Sequence, residues 1–256
     1  MADEPKESLV SSSWPEIVQK IRARTPARVL VGRAGATYHT RTQMDLREAH
    51  AAARDAVRAE LDLHPDLVNR WKLFEVCTQA GSKDEYLMRP DLGRRFSLAS
   101  RAELLNRCSS GNDLQIAIGD GLSVTAVSTQ VPLLMPLLHE GAKARQWSVG
   151  QTFVIRYCRV GILNEIGELL TPKVALLLIG ERPGLATAES LSAYMAYRPH
   201  KGHMDANRNL ISNIHTLGVT PKEAAVRILN LAAQMMKTGG SGCQLREELS
   251  ALEERA

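Results

Sequence analysis

The 256-residue chain is poor in aromatic side chains, with Phe, Trp and Tyr together making up 4% of it. Its core must therefore be built from Leu, Val, Ile, Ala and Met, within a hydrophobic content of 44% that is ordinary for a globular protein. No apolar run approaches the roughly eighteen residues of a membrane span. The longest candidate, Val174 to Ile179, has the length of a strand. The opening segment MADEPKESLV is acidic and polar and holds no apolar signal-peptide core. Cys77, Cys108, Cys158 and Cys243 lie far apart, without CxxC or any other metal-ligand spacing. A reduced, cytoplasmic compartment is the expectation. The formal charge of +4 comes from 32 basic and 28 acidic residues that are scattered along the chain. A nucleic-acid binder would show a basic stripe interleaved with aromatics, and none is visible.

The templates of self-contained catalysis are missing as well. Gly119-Asp-Gly121 has Val124 where a dinucleotide fingerprint needs its third glycine. There is no Walker loop, no GxSxG elbow and no HExxH. His200-Lys-Gly-His203 is an HxxH without carboxylates or thiols nearby, so no metal site is assigned. Asp45, Glu48, His50, Arg54 and Asp55 crowd one helix, which a solvated or subunit-facing surface explains equally well. Taken alone, the chain reads as a binding scaffold with a polar rim.

What is present is a sequence of punctuated segments. Residues 1–25 read as a flexible extension carrying one short amphipathic helix. Its apolar residues Trp14, Ile17, Val18 and Ile21 recur at helical spacing, behind a Ser13 cap and Pro15 in the first turn. That helix either docks on its own domain or offers its face to a partner. Residues 26–110 read as mainly helical. They begin with an extended Arg28–Gly32, followed by a helix over Thr42–Leu61 with Leu46, Ala49, Ala53, Ala56, Val57 and Leu61 as its stripe. A further helix is expected around Asp66–Gln79. Another opens with the capping box Ser100-Arg-Ala-Glu103 and ends near Cys108.

Over residues 111–256 strands alternate with helices. Leu114–Ile118, Phe153–Tyr157 and Val174–Ile179 have the texture of strands, and Tyr194–Tyr197 that of an edge strand. Gly119-Asp-Gly121-Leu-Ser123 turns into an apolar, helix-like stretch, Pro132 and Pro136 mark helix starts or kinks before Leu137–Trp147, and a further helix is expected over Ile162–Leu170. A last one opens at Thr220-Pro-Lys-Glu223 and stops at Gly239. The alternation predicts an α/β, Rossmann-like domain with a mostly parallel sheet and helices on both faces.

In such sheets ligands bind beyond the carboxyl ends of the strands. Three segments fall there: Asp120 and Gly121 after the first strand, Arg159 and Val160 after the second, and Glu181 and Arg182 after the most buried one. Each has a plainer reading. Gly119-Asp-Gly121 can be only a tight turn, and Glu181 with Arg182 only a surface pair. Their convergence on one rim is what makes them candidate binding residues.

A set of short motifs in fixed order carries a family resemblance. Gly32-Arg-Ala-Gly35 is followed by Thr40 and by Ala49-His50-Ala-Ala-Ala-Arg54-Asp55-Ala-Val57. Then come Gly119-Asp-Gly-Leu-Ser123, Arg156-Tyr157 with Arg159-Val160, Ile166-Gly-Glu168, Gly180-Glu-Arg-Pro-Gly184, Glu189-Ser-Leu-Ser192 and Ile211-Ser-Asn-Ile-His215. From about residue 28 to 243 the chain resembles the small subunits of ethanolamine ammonia-lyase. The resemblance implies a Rossmann-like chain that pairs with a TIM-barrel large subunit, typically six of each. Adenosylcobalamin would lie between them with its own benzimidazole as axial base. The reaction it implies converts ethanolamine, held by the large subunit, to acetaldehyde and ammonia by a radical rearrangement. Family cobalamin contacts fall on Val160, Glu181 and Leu210, the last where relatives can have Cys. No catalytic residue is implied on this chain. Base-off mutases supply an axial histidine from a DxHxxG loop. Asp62-Leu-His64 begins that pattern, but Leu67 replaces its glycine, as a base-on family allows. Relatives work in bacterial microcompartments, which makes residues 1–25 a candidate packaging signal. The competing expectations are a stand-alone Rossmann-type enzyme and a non-catalytic interaction protein.

Overall fold

The computed structural model describes residues 15–25, 27–184 and 187–247. The first element is helix α1 (Glu16–Ala23), preceded by Pro15; the expected Ser13 cap and Trp14 lie outside the described residues. None of its residues is buried, and Ile17 and Ile21 are 62% and 42% exposed, so its apolar face is not docked on the domain. Arg28–Gly32 forms no strand. Just beyond it, β1 (Arg33–Ala34) and β2 (Thr37–Tyr38) make a small antiparallel hairpin. Helix α2 (Thr40–Arg58) follows; within it only Ala56 of the expected stripe is buried, and Leu61, the stripe's last residue, is buried just beyond its end.

Helix α3 (Pro65–Trp71) ends at Lys72, whose left-handed backbone turns the chain directly into strand β3 (Phe74–Cys77). The expected helix across Asp66–Gln79 is thus half the length, and its second half is a strand. Phe74 and Val76 are buried while Glu75 is exposed, a period of two that the preceding helical pattern conceals. After α4 (Lys83–Met88) and a 3-10 turn at Leu92–Arg94 comes α5 (Leu98–Arg107). Its cap is Ser97, three residues before the expected one; Ser97 Oγ accepts from the Ser100 N–H. Ser100 instead accepts the Cys77 N–H at 2.8 Å and ties α5 to the end of β3.

The remaining elements are β4 (Leu114–Gly119), α6 (Val124–Ala144), β5 (Phe153–Arg156), α7 (Leu163–Leu170), β6 (Val174–Gly180), β7 (Leu191–Tyr197), β8 (Asn209–Ile214) and α8 (Pro221–Thr238). Pro132 and Pro136 do not open a helix; both sit inside α6. Each removes a helical hydrogen bond, but the face bearing Val131, Leu134, Met135 and Leu138 is fully buried, and packing overrides the local cost. Thr220 and Glu223 form the expected capping box of α8, and Gly239, at φ +71°, closes it.

The six-stranded sheet runs β3-β5-β4-β6-β7-β8. Strands β3, β5, β4 and β6 are parallel, whereas β7 is antiparallel to both β6 and β8. The sheet is therefore mixed rather than mostly parallel, and its order departs from the Rossmann expectation. Two causes are visible. The first strand lies at the far edge instead of beside β4. Among the described residues no α-helix crosses over between β6 and β7 or between β7 and β8, where only a 3-10 turn at Asp205–Asn207 intervenes, so the chain turns back on itself. Strand β7, expected at an edge, lies inside, because Asn209–Ile214 forms the true edge.

Helices α6 and α8 pack on one face of the sheet and α5 and α7 on the other, each over its own apolar cluster. All seven residues of β6, VALLLIG, are buried between the two. Burying one such Leu contributes about 1.5–3 kcal/mol. The chain leaving β4 goes to the α6 face and the chain leaving β5 goes to the α7 face. Those connections part at the carboxyl edge of the strands and leave a gap there.

Candidate functional site

At that edge lies an open crevice of about 210 Å3. It gathers the turns after all three central strands, with Gly121 and Leu122 from the turn after β4, Arg159 and Val160 from that after β5, and Glu181 and Arg182 from that after β6. Ser192 and Tyr194 of β7, Leu210 of β8 and Tyr86 of α4 complete the wall. Six of the seven residues expected from the sequence thus share one cavity. The seventh, Asp120, lies beneath it.

The floor is made by two glycine turns pressed together. Gly121 has φ +58°, and a Cβ there would stand 2.3 Å from the carbonyl oxygen of Gly180. A Cβ on Gly180 would stand 1.9 Å from that of Ser123. The Leu122 N–H donates to the Gly180 carbonyl at 3.1 Å, which locks the turns in register. Gly119-Asp-Gly121 is a tight turn, as its plainer reading held, and it forms part of the cavity wall.

Asp120 is fully buried, and both its oxygens are engaged. Oδ2 accepts the Tyr157 N–H and Oδ1 the Cys158 N–H, each at 2.9 Å, and Lys83 Nζ lies 3.7 Å from Oδ2. Burial pushes the carboxyl up, while Lys83 and the backbone N–H groups oppose that shift. The same turn is held from the other side. Tyr86 Oη donates to the Cys158 carbonyl at 2.9 Å, and Thr78 Oγ1 donates to the Tyr157 carbonyl at 3.0 Å. These bonds hold Tyr157 at φ +59° and fix the point from which Arg159 and Val160 leave. Asp120 therefore acts on the crevice through the turn.

Glu181 is half-buried and pairs with neither Arg182 nor any other cation among the described residues, so the surface-pair reading does not hold. Its Oε2 accepts from Ser190 Oγ at 2.7 Å, and its Oε1 accepts from Ser192 Oγ and from the Asn213 N–H at 3.3 Å. A carboxylate has about four acceptor sites. Three are occupied here, which leaves Oε2 able to accept once more. Arg159 lays its guanidinium 4.2 Å from the Tyr86 ring centroid. Arg182 is exposed. Leu210, 45% exposed, stands on the rim opposite Tyr194, its cross-strand neighbour.

Sequence reading missed Tyr86, Ser192 and Tyr194 as wall residues and Lys83 as a support. Ser190 and Ser192 alternate at the start of β7, and that spacing was the available signal for the hydroxyls beneath Glu181. Tyr86 and Lys83 carry no local signal, because α4 reaches the site only through tertiary packing. Other candidate chemistry has a structural place elsewhere. His64 Nδ1 accepts the Asp66 N–H at 3.3 Å and caps α3. Among the described residues no His, Cys, Asp and Glu group is arranged to hold a metal ion, and no helix is long and apolar enough to cross a membrane. The crevice's one thiol, Cys158, is buried and its pKa is pushed well up by desolvation, so it is no activated nucleophile.

Fold and site together define an α/β chain with an open binding wall at the carboxyl edge of its parallel strands, largely apolar and carrying Glu181, Arg159 and Arg182. Comparison with known proteins narrows this class. The sequence profile of the ethanolamine ammonia-lyase light chain matches residues 15–246. The ethanolamine ammonia-lyase small subunit of Clostridium perfringens is 41% identical over 231 residues, which is 90% of this chain and 78% of that one. That of Clostridium acetobutylicum is 40% identical over 90% of this chain and 95% of its own length. The Clostridioides difficile protein is 40% identical over 88% of this chain and 76% of its own. The chain belongs to the ethanolamine ammonia-lyase light-chain family.

Proposed function

We propose that the chain is the small subunit of an adenosylcobalamin-dependent ethanolamine ammonia-lyase and supplies one wall of a cofactor site closed by the large, TIM-barrel subunit. The observation that carries this reading is the convergence of Val160, Glu181 and Leu210, from three separate elements, on one open crevice. The residues suit the ligand. A corrin periphery bears amides and methyl groups. The wall offers an acceptor in Glu181, the Ser192 and Tyr194 hydroxyls, turn backbone, and apolar patches from Val160, Ile179 and Leu210. A cavity of about 210 Å3 holds only the edge of such a macrocycle, so the rest belongs to a partner. When bound, the cofactor supplies the radical chemistry. This chain's residues would orient it, Glu181 by accepting an amide N–H and Arg159 and Val160 by lining the ring edge. The Leu210 contact survives the absence of Cys through its backbone. Cofactor binding is base-on, assembly is six small with six large subunits, and the reaction yields acetaldehyde and ammonia. We place the assembly within a bacterial microcompartment, with residues 1–25 as its packaging signal; deleting them should abolish encapsulation.

The test is cobalamin titration of the complex reconstituted with the large subunit. The expected result is a stable complex that binds cobalamin and releases ammonia from ethanolamine, with neither chain active alone. Glu181→Ala should weaken cofactor binding by about tenfold, the worth of one hydrogen bond to a charged group, with folding preserved. Turnover by this chain alone would favour a stand-alone enzyme. A complex without cobalamin binding would make it an interaction protein.

A further inference from the structure

Helix α2 is as long as the core helices and packs quite differently. The 18-residue α8 buries seven of its residues, whereas α2, with 19, buries only Ala56. From Thr40 to Asp55 every residue is exposed or half-buried. At about 1.5 Å per residue α2 extends about 28 Å, and little of that length is seated in the core. Isolated helices are marginal in water, and packing of one face supplies most of their stability. A helix of this length with so little cover lacks a surface that would complete it.

Its faces differ in character. Leu46, Ala49, Ala53 and Val57 share the half-buried face with Ala56. On another face Met44, Arg47, Ala51, Arg54 and Arg58 recur at helical spacing and are all exposed, Met44 by 57%. Arg58 pairs with Asp84, while Arg47 and Arg54 have no ion-pair partner among the described residues. Over residues 28–58 six arginines stand against three carboxylates, Asp45, Glu48 and Asp55.

A row of charge is ordinarily a solvated face; the root of this helix argues otherwise. Arg58 Nη1 donates to Asp84 Oδ1 at 3.2 Å, in the first turn of α4, whose Tyr86 walls the crevice. Two residues past α2, Glu60 accepts from Arg156 Nη1 at 3.1 Å and from Tyr157 Oη at 3.4 Å. Arg156 Nη2 donates to the Leu61 carbonyl at 3.1 Å. The end of α2 is thereby tied to the carboxyl end of β5, beside the crevice. A body that closes over that edge meets α2 as well.

We propose that α2 is a docking arm for the large subunit, seated through Met44, Arg47 and Arg54 on an acidic patch with an apolar centre. The partner is taken from the function proposed above; the contact itself needs no cofactor. A second copy of this chain fits poorly, because a two-fold contact through this face would set arginine against arginine.

The test measures association of the full chain with the large subunit, first without cobalamin, by titration and by hydrogen exchange. The α2 amides from Thr40 to Asp55 should exchange readily in the free chain and become protected in the complex, a result read without any variant. Arg47→Glu with Arg54→Glu, and separately Met44→Asp, change exposed positions and should leave the thermal midpoint of the free chain unchanged. Each should raise the Kd for the large subunit about tenfold or more, and the arginine pair should also flatten its salt dependence. Lys222→Glu with Lys237→Glu, the same charge change on exposed positions of α8, should leave the Kd as it is. Unprotected α2 amides, a Kd within twofold of wild type in the α2 variants, or an equal loss in the α8 pair would overturn the proposal. So would a dimer of the free chain that the α2 variants abolish, which would make α2 a contact between copies. A complex that protects α2 and binds no cobalamin would remove the proposed cofactor site and leave the docking arm standing.

Discussion

Asp120 and Lys83 give the sharpest test of how the fold holds the crevice. Their side chains are 0% and 9% exposed, and the charges lie 3.7 Å apart. At an effective dielectric of about 20, attraction at that separation is worth about 4 kcal/mol before desolvation is counted. Removing one partner leaves the other buried and uncompensated, at a cost of about 3–5 kcal/mol. Asp120→Asn keeps the shape, but its amide can accept only one of the two N–H groups at Tyr157 and Cys158. Adding Lys83→Met deletes the stranded ammonium. The double variant should recover stability relative to Asp120→Asn, with a coupling of at least about 1 kcal/mol. Urea unfolding of the full chain measures both quantities. Hydrogen exchange at the Tyr157 and Cys158 amides, in the chain or its complex, reports the turn itself, and both should exchange faster in either variant. Should Asp120→Asn cost less than about 1 kcal/mol and add simply with Lys83→Met, the pair does not hold the turn and the account of the site's floor is wrong.

Gly121→Ala should destabilise the chain by about 1–3 kcal/mol from its positive φ alone, and by more because the new Cβ meets the Gly180 carbonyl; the thermal midpoint checks it. Thr220→Ala should cost about 1 kcal/mol by opening the α8 capping box, with the crevice unaffected, and denaturant unfolding with unchanged cofactor affinity would show both. Asp113, bonded to Lys173 Nζ at 2.7 Å and to the Ser148 N–H at 2.8 Å, is held below the ordinary carboxylate pKa, chiefly by Lys173. A depressed folded-state pKa stabilises above the unfolded value near 3.9, and that stability is lost as pH falls through the folded value. Asp113→Asn should therefore be less stable at pH 7, with the difference from wild type closing under acid; a gap that widens under acid would contradict the sign.

How far the fold could be read in the sequence depended on whether local pattern and tertiary packing agreed. Where caps, period and length coincide, as in α8, or where a run is apolar throughout, as in β6, the element emerged in place. The failures share a cause. Phe74–Cys77 continues an apolar helical pattern through Leu67, Val68 and Trp71, and only the left-handed Lys72 separates helix from strand. Asn209–Ile214 is an edge strand with a burial pattern broken by exposed residues, so its alternation is weak. The antiparallel turn at β7 depends on two connections that hold no crossover α-helix among the described residues, a topological fact that residue periodicity does not encode.

The site was more legible than the sheet that bears it, and the reason is geometric. A crevice at the carboxyl edge needs only that β4, β5 and β6 be parallel neighbours, which the pairing satisfies whatever the direction of β7. Turns that follow such strands come together even when the outer strands are misread. What residue type alone could not reveal is depth. Asp120 and Glu181 are both carboxylates following glycine at strand ends, yet one is sealed under the turn after β5 and the other stands in the cavity wall. The difference is set by what arrives from elsewhere. Lys83 and Tyr86 of α4 close over Asp120, whereas Ser190, Ser192 and Asn213 meet Glu181 from one side and leave an oxygen facing out. A polar residue after a strand is therefore a binding candidate only once the segments distant in sequence that cover it are known.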